Sequence, residues 1–306
     1  MQEFIDLGKR IYNMKNPREK HRMVVFVARA LLHRRAMRQL MDWFQRDPAR
    51  RQILEESPFP LEQVTRAFFY KGSTFAERAK LIKAHVSYLQ KTLTPEAFLT
   101  LSSTKRTHWE VWKGEYEGEV WHAILKTEPG QRKEGLLSLE MNLGREHLYQ
   151  MMFWIAPDEK EEISLWIGAM QGPNMQDAKE IIKKITKECF GYRTKNLILY
   201  MLQAVARAWG IRRIYAVSNY GYYANNHMRS NRKLKTNFGD FWTEAGGHPT
   251  EDQRFYELPL REPRKSMEEV KTHKRNLYRK RFALLDSIDE EIEGKMREIL
   301  KGTGSK

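Results

Sequence analysis

The stretch that most limits how this chain can fold lies in residues 163–219, because it reads as strand, crossover helix and strand. Residues 163–170 (Ile-Ser-Leu-Trp-Ile-Gly-Ala-Met) are a short apolar run, and Gln171, Gly172 and Pro173 end it sharply. Leu197, Tyr200, Met201, Ala204, Val205, Ala208 and Trp209 then recur with helical spacing, forming one apolar stripe that stops at Gly210. Residues 211–217 return as a second apolar strand, ending at Ser218 and Asn219. Two strands joined through a helix are expected to lie parallel, since a parallel pair needs such a connection.

The turn ahead of that helix, residues 191–196 (Gly-Tyr-Arg-Thr-Lys-Asn), carries the first functional expectation. Thr194 is expected at the N-cap, where unpaired backbone N–H groups and a partial positive charge favour an anion. Arg193 and Lys195 add two cations, so the turn is a candidate anion site. The other reading is of solvated surface charges beside an ordinary cap, and position alone does not choose.

Charge makes an anion relevant. Arg and Lys outnumber Asp and Glu by 54 to 39, a formal +15 over 306 residues, so an acidic partner is expected: nucleic acid, anionic lipid or a phosphorylated cofactor. A hydrophobic content of 41% is enough to bury a core. The single cysteine, Cys189, excludes an internal disulfide and a cysteine-based zinc site, and no metal site is expected. As a nucleophile it is not favoured. The N-terminus lacks a basic stretch followed by an apolar core, and the most apolar early window, residues 23–32, is short and interrupted by Arg29. A cytoplasmic protein, with contact at the inner-membrane surface, is the expectation.

In chain order, residues 1–105 read as a basic helical cap. Phe4, Leu7, Ile11 and Tyr12 keep helical spacing; residues 24–32 and 37–44 follow; Pro58-Phe59-Pro60 sets off residues 61–70; and residues 75–93 form a helix stopped by Pro95. Residues 106–262 form the core. Residues 109–112, 119–125, 136–143 and 147–155 alternate as antiparallel strands with turns between them. Leu137, Leu139, Met141 and Leu143 take one face of their strand and Ser138, Glu140 and Asn142 the other, so Glu140 looks either into a cleft or into water. Residues 174–190 hold an extra helix, residues 220–231 a polar and aromatic loop containing His227, and residues 238–247 a short helix with a double-glycine stop. His248 follows, and both histidines read as surface-loop residues. A further strand covers residues 254–258. Residues 263–306 are expected as a charged helix from Ser266 to about Leu300 and a disordered tail.

This order resembles the GCN5-related acetyltransferase fold: an α+β, mixed and mostly antiparallel sheet with an N-terminal helical cap and a C-terminal charged helix. The resemblance implies that the strand before the crossover splays from its neighbour, so that Ala169, Met170 and Gln171 offer backbone groups to pantetheine. It also implies that Arg193, Thr194, Lys195 and Asn196 receive the pyrophosphate of an acyl-CoA. Only Gly191 represents the glycine-rich phosphate signature of that fold. A second resemblance covers almost the whole chain. Residues 132–139, 167–173, 186–187, 191–195, 216–219, 246–247, 255–259 and 274–281 look like blocks of the VirK/YbjX family of Gram-negative bacteria. That family is linked to virulence, envelope remodelling and resistance to cationic antimicrobial peptides.

Together the resemblances imply an acyl-CoA-dependent acyltransferase acting on an envelope precursor, lipid or protein. Acyl transfer from a thioester needs a base for the incoming group and an acid for the departing thiolate. Glu134 or Glu140 is the candidate base, Tyr222 or Tyr223 the candidate acid, and Asn219 a positioning group. The alternatives are a non-catalytic module binding anionic lipid or an acidic protein, and a nucleic-acid binder, although no nucleic-acid motif accompanies the charge.

Overall fold

Local start signals lay out the N-terminal helices. Asn16, Asp47 and Thr94 each precede a proline at the first helical position and each accept a backbone N–H from the first turn, while Thr74 and Glu77 form a reciprocal capping box. The computed structural model describes residues 1–225 and 237–302. Seven helices come first: α1 (Gln2–Ile11), α2 (Pro17–Leu32), α3 (Arg34–Gln45), α4 (Pro48–Glu56), α5 (Phe59–Gln63), α6 (Phe75–Thr92) and α7 (Pro95–Ser102). The strands β1 (Trp109–Tyr116), β2 (Glu119–Lys126), β3 (Leu137–Leu143), β4 (Glu146–Pro157) and β5 (Ile163–Gln171) follow as an antiparallel meander. Glu117 and Gly118 both have positive φ in the β1–β2 turn, the geometry of a tight hairpin.

After β5 come α8 (Ala178–Glu188), α9 (Thr194–Ala208) and β6 (Ile214–Val217), and β6 pairs parallel to β5 as the crossover requires. Then α10 (Phe238–Glu244), β7 (His248–Pro249), β8 (Phe255–Leu258) and α11 (Arg275–Ile299) complete the chain. The sheet order is β1-β2-β3-β4-β5-β6-β8-β7, antiparallel throughout except for β5–β6. The fold is thus α+β with a mixed, mostly antiparallel open sheet. Helix α9 packs on β3 and β4, and α11 packs on α9 and β1. One core of buried apolar side chains runs from Phe4 through the sheet to Ile299.

The edge of β4 shows how a helix completes this sheet. The β3 ladder ends at Leu137 opposite Phe153, which leaves the rest of that β4 edge open inside the molecule. His85 of α6 closes it, its Nδ1 accepting the Ile155 N–H at 3.1 Å. Burial holds its imidazole down at about 3, so the ring is the neutral acceptor the strand needs.

Several local expectations are corrected. Residues 61–70 do not extend a helix: α5 ends at Gln63, and Phe69 takes a positive φ in the turn beyond it. Pro95 ends α6 and also opens α7, because proline at a first helical position lacks only an N–H that would go unpaired. The C-terminal helix begins at Arg275, with residues 266–274 irregular apart from one 3-10 turn. Strand β7 was not anticipated; two exposed residues have no periodicity to read. His227, part of the 220–231 loop and the last four residues of the expected tail lie outside the described residues.

Candidate functional site

The crossover unit opens into a fork. The β5–β6 ladder covers only Leu165, Trp166 and Ile167 against Ile214, Tyr215 and Ala216; β5 then continues to Gln171 while β6 ends at Val217. At the parting stands Gly168, the extra residue of a β-bulge against β4. The segment carrying Glu134 presses onto it so closely that a Cβ added at Gly168 would lie 1.8 Å from the Glu134 carbonyl oxygen. On the other arm, Trp242 of α10 donates its indole N–H to the Val217 carbonyl at 2.8 Å.

Glu134 is held by its neighbours on both sides. Lys133 O accepts the Phe69 N–H, Leu136 N donates to Phe153 O, and Gln63 donates to Arg132 O and Gly135 O. The side chain, only 5% exposed, accepts a hydrogen bond from the Tyr222 hydroxyl at Oε1, while Oε2 is buried without a partner. Burial pushes the carboxyl above its ordinary value, against the pull of the Tyr222 hydrogen bond and Lys133. The Tyr222 phenol is also raised, by burial first and then by the carboxylate it faces. Tyr222 is fixed through a bridge to Tyr70, and its ring meets Tyr223 edge-on, with Phe68 beyond. The structure therefore brings together three residues proposed from sequence: Glu134, Tyr222 and Tyr223.

The anion turn carries a partial counter-charge of its own. Arg193 and Lys195 both pair with the Glu244 carboxylate at the end of α10, which in turn lies below its ordinary value because of those two cations. Thr194 is not the cap. Arg193 occupies the N-cap and Thr194 the first helical position, 1% exposed, with its hydroxyl oxygen buried and without a hydrogen-bond partner. Burial on the apolar face of α9 competes successfully with capping there. Asn196 stands on the same first turn, with its Oδ1 buried and unpartnered.

The remaining sequence candidates lie elsewhere. Ala169 and Met170 are buried on β5, and Gln171 accepts a hydrogen bond from Gln131. Asn219 closes the base of the following segment: its Oδ1 accepts the Phe238 N–H at 2.6 Å and its Nδ2 donates to Asn237, so it works with Asn237 to start α10. Glu140 faces neither a cleft nor open water. It sits on the sheet beside Gln150, with Lys126 at 2.7 Å and His147 close by, and against the upward push of burial His147, Lys126 and Asn142 hold the carboxyl at about 2. Cys189 is buried and its thiol is pushed up to about 12, an inert core residue.

Sequence reasoning missed Gly168 and Glu244. A glycine inside an apolar strand signals a bulge or a close backbone approach, so Gly168 was readable. Glu244 was not, because its partners are 49 and 51 residues away.

Comparison with known proteins gives a family. The chain belongs to the family described as Protein of unknown function (DUF535), which matches residues 15–294. It is 23% identical over 270 residues to "Uncharacterized protein YbjX" of Escherichia coli (strain K12), covering 87% of this chain and 81% of that one. An uncharacterized protein of Haemophilus influenzae is 28% identical over 162 residues, 52% of this chain and 53% of that one, and a second is 29% identical over 133 residues, 44% of each. The chain thus spans about half the length of those two relatives. "Membrane protein LapB" of Mannheimia haemolytica is 25% identical over 186 residues, 60% of this chain and 76% of that one. No solved structure matches. Among the described residues no helix is long and apolar enough to cross a membrane.

Proposed function

We propose that the chain is an acyl-CoA-dependent acyltransferase whose reacting groups are Glu134 and Tyr222. The observation that carries this reading is the parting of β5 and β6 after Ile167 and Ala216, with the buried Glu134 and its half-buried partner Tyr222 packed beside it. A carboxylate raised by burial is a stronger base than an exposed one, as proton abstraction from an incoming amine or hydroxyl requires. In the proposed step the acceptor nitrogen or oxygen bonds to the acyl carbon and the carbon–sulfur bond breaks. Glu134 takes the acceptor's proton, Tyr222 gives its own to the leaving sulfur, and the proton on Glu134 restores Tyr222. An acyl-CoA, when bound, supplies the activated thioester.

The fit of such a donor rests on α9. Arg193 and Lys195 at its N-terminus suit a diphosphate, and one carboxylate shared between two cations leaves a surplus positive charge. Glu244 is the internal competitor. Calorimetric titration with CoA tests this: Arg193→Ala and Lys195→Ala should each weaken binding by about 1.5–3 kcal/mol, tenfold or more, and Glu244→Ala should tighten it. CoA affinity unchanged across all three variants would remove the donor site from this turn.

A second reading, peripheral attachment to an anionic membrane, has its own observation. On α2 the apolar side chains Val24, Leu31 and Leu32 are 59%, 37% and 79% exposed, and Lys20, Arg34 and Arg35 are exposed around them. The similarity to a protein named as a membrane protein supports it further. Sedimentation with anionic vesicles at low salt, lost at high salt and in Leu32→Glu, is the expected result; equal sedimentation with neutral vesicles would dismiss it.

A further inference from the structure

A small cavity of about 130 Å³ lies in the seam between α9 and α11, with residues 262–265 of the β8–α11 connection on its third side. Tyr192, Tyr200 and Leu285 give it a buried floor, while the rim residues Arg264 and Lys265 are exposed. Tyr192 is next in sequence to Arg193, so the cavity adjoins the turn proposed for the donor's diphosphate. Helix α11 brings a further cation to that turn. Arg281 donates from Nε and Nη2 to the Phe190 carbonyl at 3.1 and 2.7 Å, and its guanidinium lies 4.4 Å from the centroid of Tyr278. It presses so close to Gly191, whose φ is +74°, that a Cβ added there would lie 3.1 Å from Nη2.

The cations around this seam are answered unequally. Arg193 and Lys195 share Glu244, and Arg264 pairs with Asp286 at 2.6 Å while its Nη2 donates to the Tyr200 hydroxyl at 2.9 Å. Among the described residues Arg281, half-buried, and Lys265 have no ion-pair partner, and Arg281 Nη1 donates to nothing. Three cations and one carboxylate line the cavity, and that carboxylate, Glu262, accepts the Tyr192 hydroxyl. A partly desolvated guanidinium without a counter-charge is costly, and an arriving anion offsets that cost. Both arginines are held against rings, Arg281 on Tyr278 and Arg264 at 5.1 Å from the centroid of Phe282, so they lose little freedom when an anion binds. A phosphate monoester, close to doubly charged at neutral pH, answers the surplus and offers acceptor oxygens to both.

We infer that this cavity receives the 3′-phosphate of the donor's nucleotide, held by Arg281, Lys265 and Arg264. That role rests on the acyl-CoA reading and narrows the donor: an acyl group on a carrier protein has the same pantetheine thioester but no nucleotide and no phosphate monoester, so these residues select free acyl-CoA. The test is calorimetric titration of the full chain with CoA and with 3′-dephospho-CoA. CoA should bind at least tenfold tighter. Arg281→Gln should lower CoA affinity to that of dephospho-CoA, and Lys265→Ala should lower CoA affinity threefold or more while leaving dephospho-CoA affinity within twofold. Because Arg281 also holds the Phe190 carbonyl, Lys265→Ala, on the exposed rim, carries the test should Arg281→Gln not fold. Arg193→Ala, by contrast, should weaken both ligands alike. Equal affinity of the parent for the two ligands, or full discrimination retained in Lys265→Ala, would overturn the 3′-phosphate site and leave the acyl-CoA reading standing. A parent that binds neither ligand would overturn both.

Discussion

Replacing Tyr222 by phenylalanine removes one oxygen and isolates a buried acid. Glu134 Oε2 has no partner, and Oε1 has the Tyr222 hydroxyl, so the change leaves the carboxyl bare in a site where only 5% of the residue is exposed. A hydrogen bond to an ionised group is worth about 1.5–3 kcal/mol, and one to a neutral amide about 0.5–1.5 kcal/mol. Tyr222→Phe should therefore cost roughly 1 kcal/mol more in the parent than in a Glu134→Gln background, a coupling that a double-mutant cycle reads directly. The pH dependence adds a second signature. Because the folded carboxyl lies above its ordinary value of 4.5, the native state binds more protons than the unfolded chain just above that pH, and stability falls as pH rises through the window. The slope from this one group is at most about 1.4 kcal/mol per pH unit and should be absent in Glu134→Gln. Urea unfolding followed by tryptophan fluorescence at about pH 5 and about pH 8 measures both quantities. Additive single and double mutants, or an unchanged pH slope in Glu134→Gln, would refute the buried-acid reasoning, and with it the reason for choosing Glu134 as the base.

The glycines supply a contrasting pair: Gly168→Ala meets the Glu134 backbone carbonyl and should destabilise by about 3 kcal/mol or more, while Gly294→Ala, in open space on α11, should stabilise by about 0.5–1 kcal/mol, both read from urea midpoints. Glu140 is held at about 2, below its ordinary 4.5, so its contribution is present above pH 4.5 and lost as pH falls toward 2. The stability gap between the parent and Glu140→Gln should be on the order of 2 kcal/mol at neutral pH after allowance for solvent screening, and should close in acid; a gap independent of pH would count against the Lys126 and His147 pairing. Cys189, buried with its thiol pushed up to about 12, should react with a thiol reagent only as the protein unfolds, and rapid labelling of the native chain would contradict its place in the core.

What the sequence alone determined were features written in local patterns. The apolar stripe of α9 and the short apolar runs on either side of it required a strand, a crossover and a parallel strand, because burying such faces leaves few arrangements. The turn residues of the meander and the proline-marked helix starts were legible for the same reason, since they act within a few residues of themselves. Glu134, Tyr222 and Tyr223 could be nominated because residue type limits acid–base chemistry. That Glu134 and Tyr222 meet could not be read, because 88 residues separate them and only the packing of the 132–136 segment over Gly168 brings the carboxylate to the phenol. Tertiary structure likewise decided that Glu244 answers Arg193 and Lys195, that Thr194 gives up the cap to be buried, and that Asn219 helps to start α10. Local signals record what a residue does to its own backbone, whereas a site is made by contacts between distant segments, and those depend on a balance of burial and pairing that exists only once the whole chain has folded.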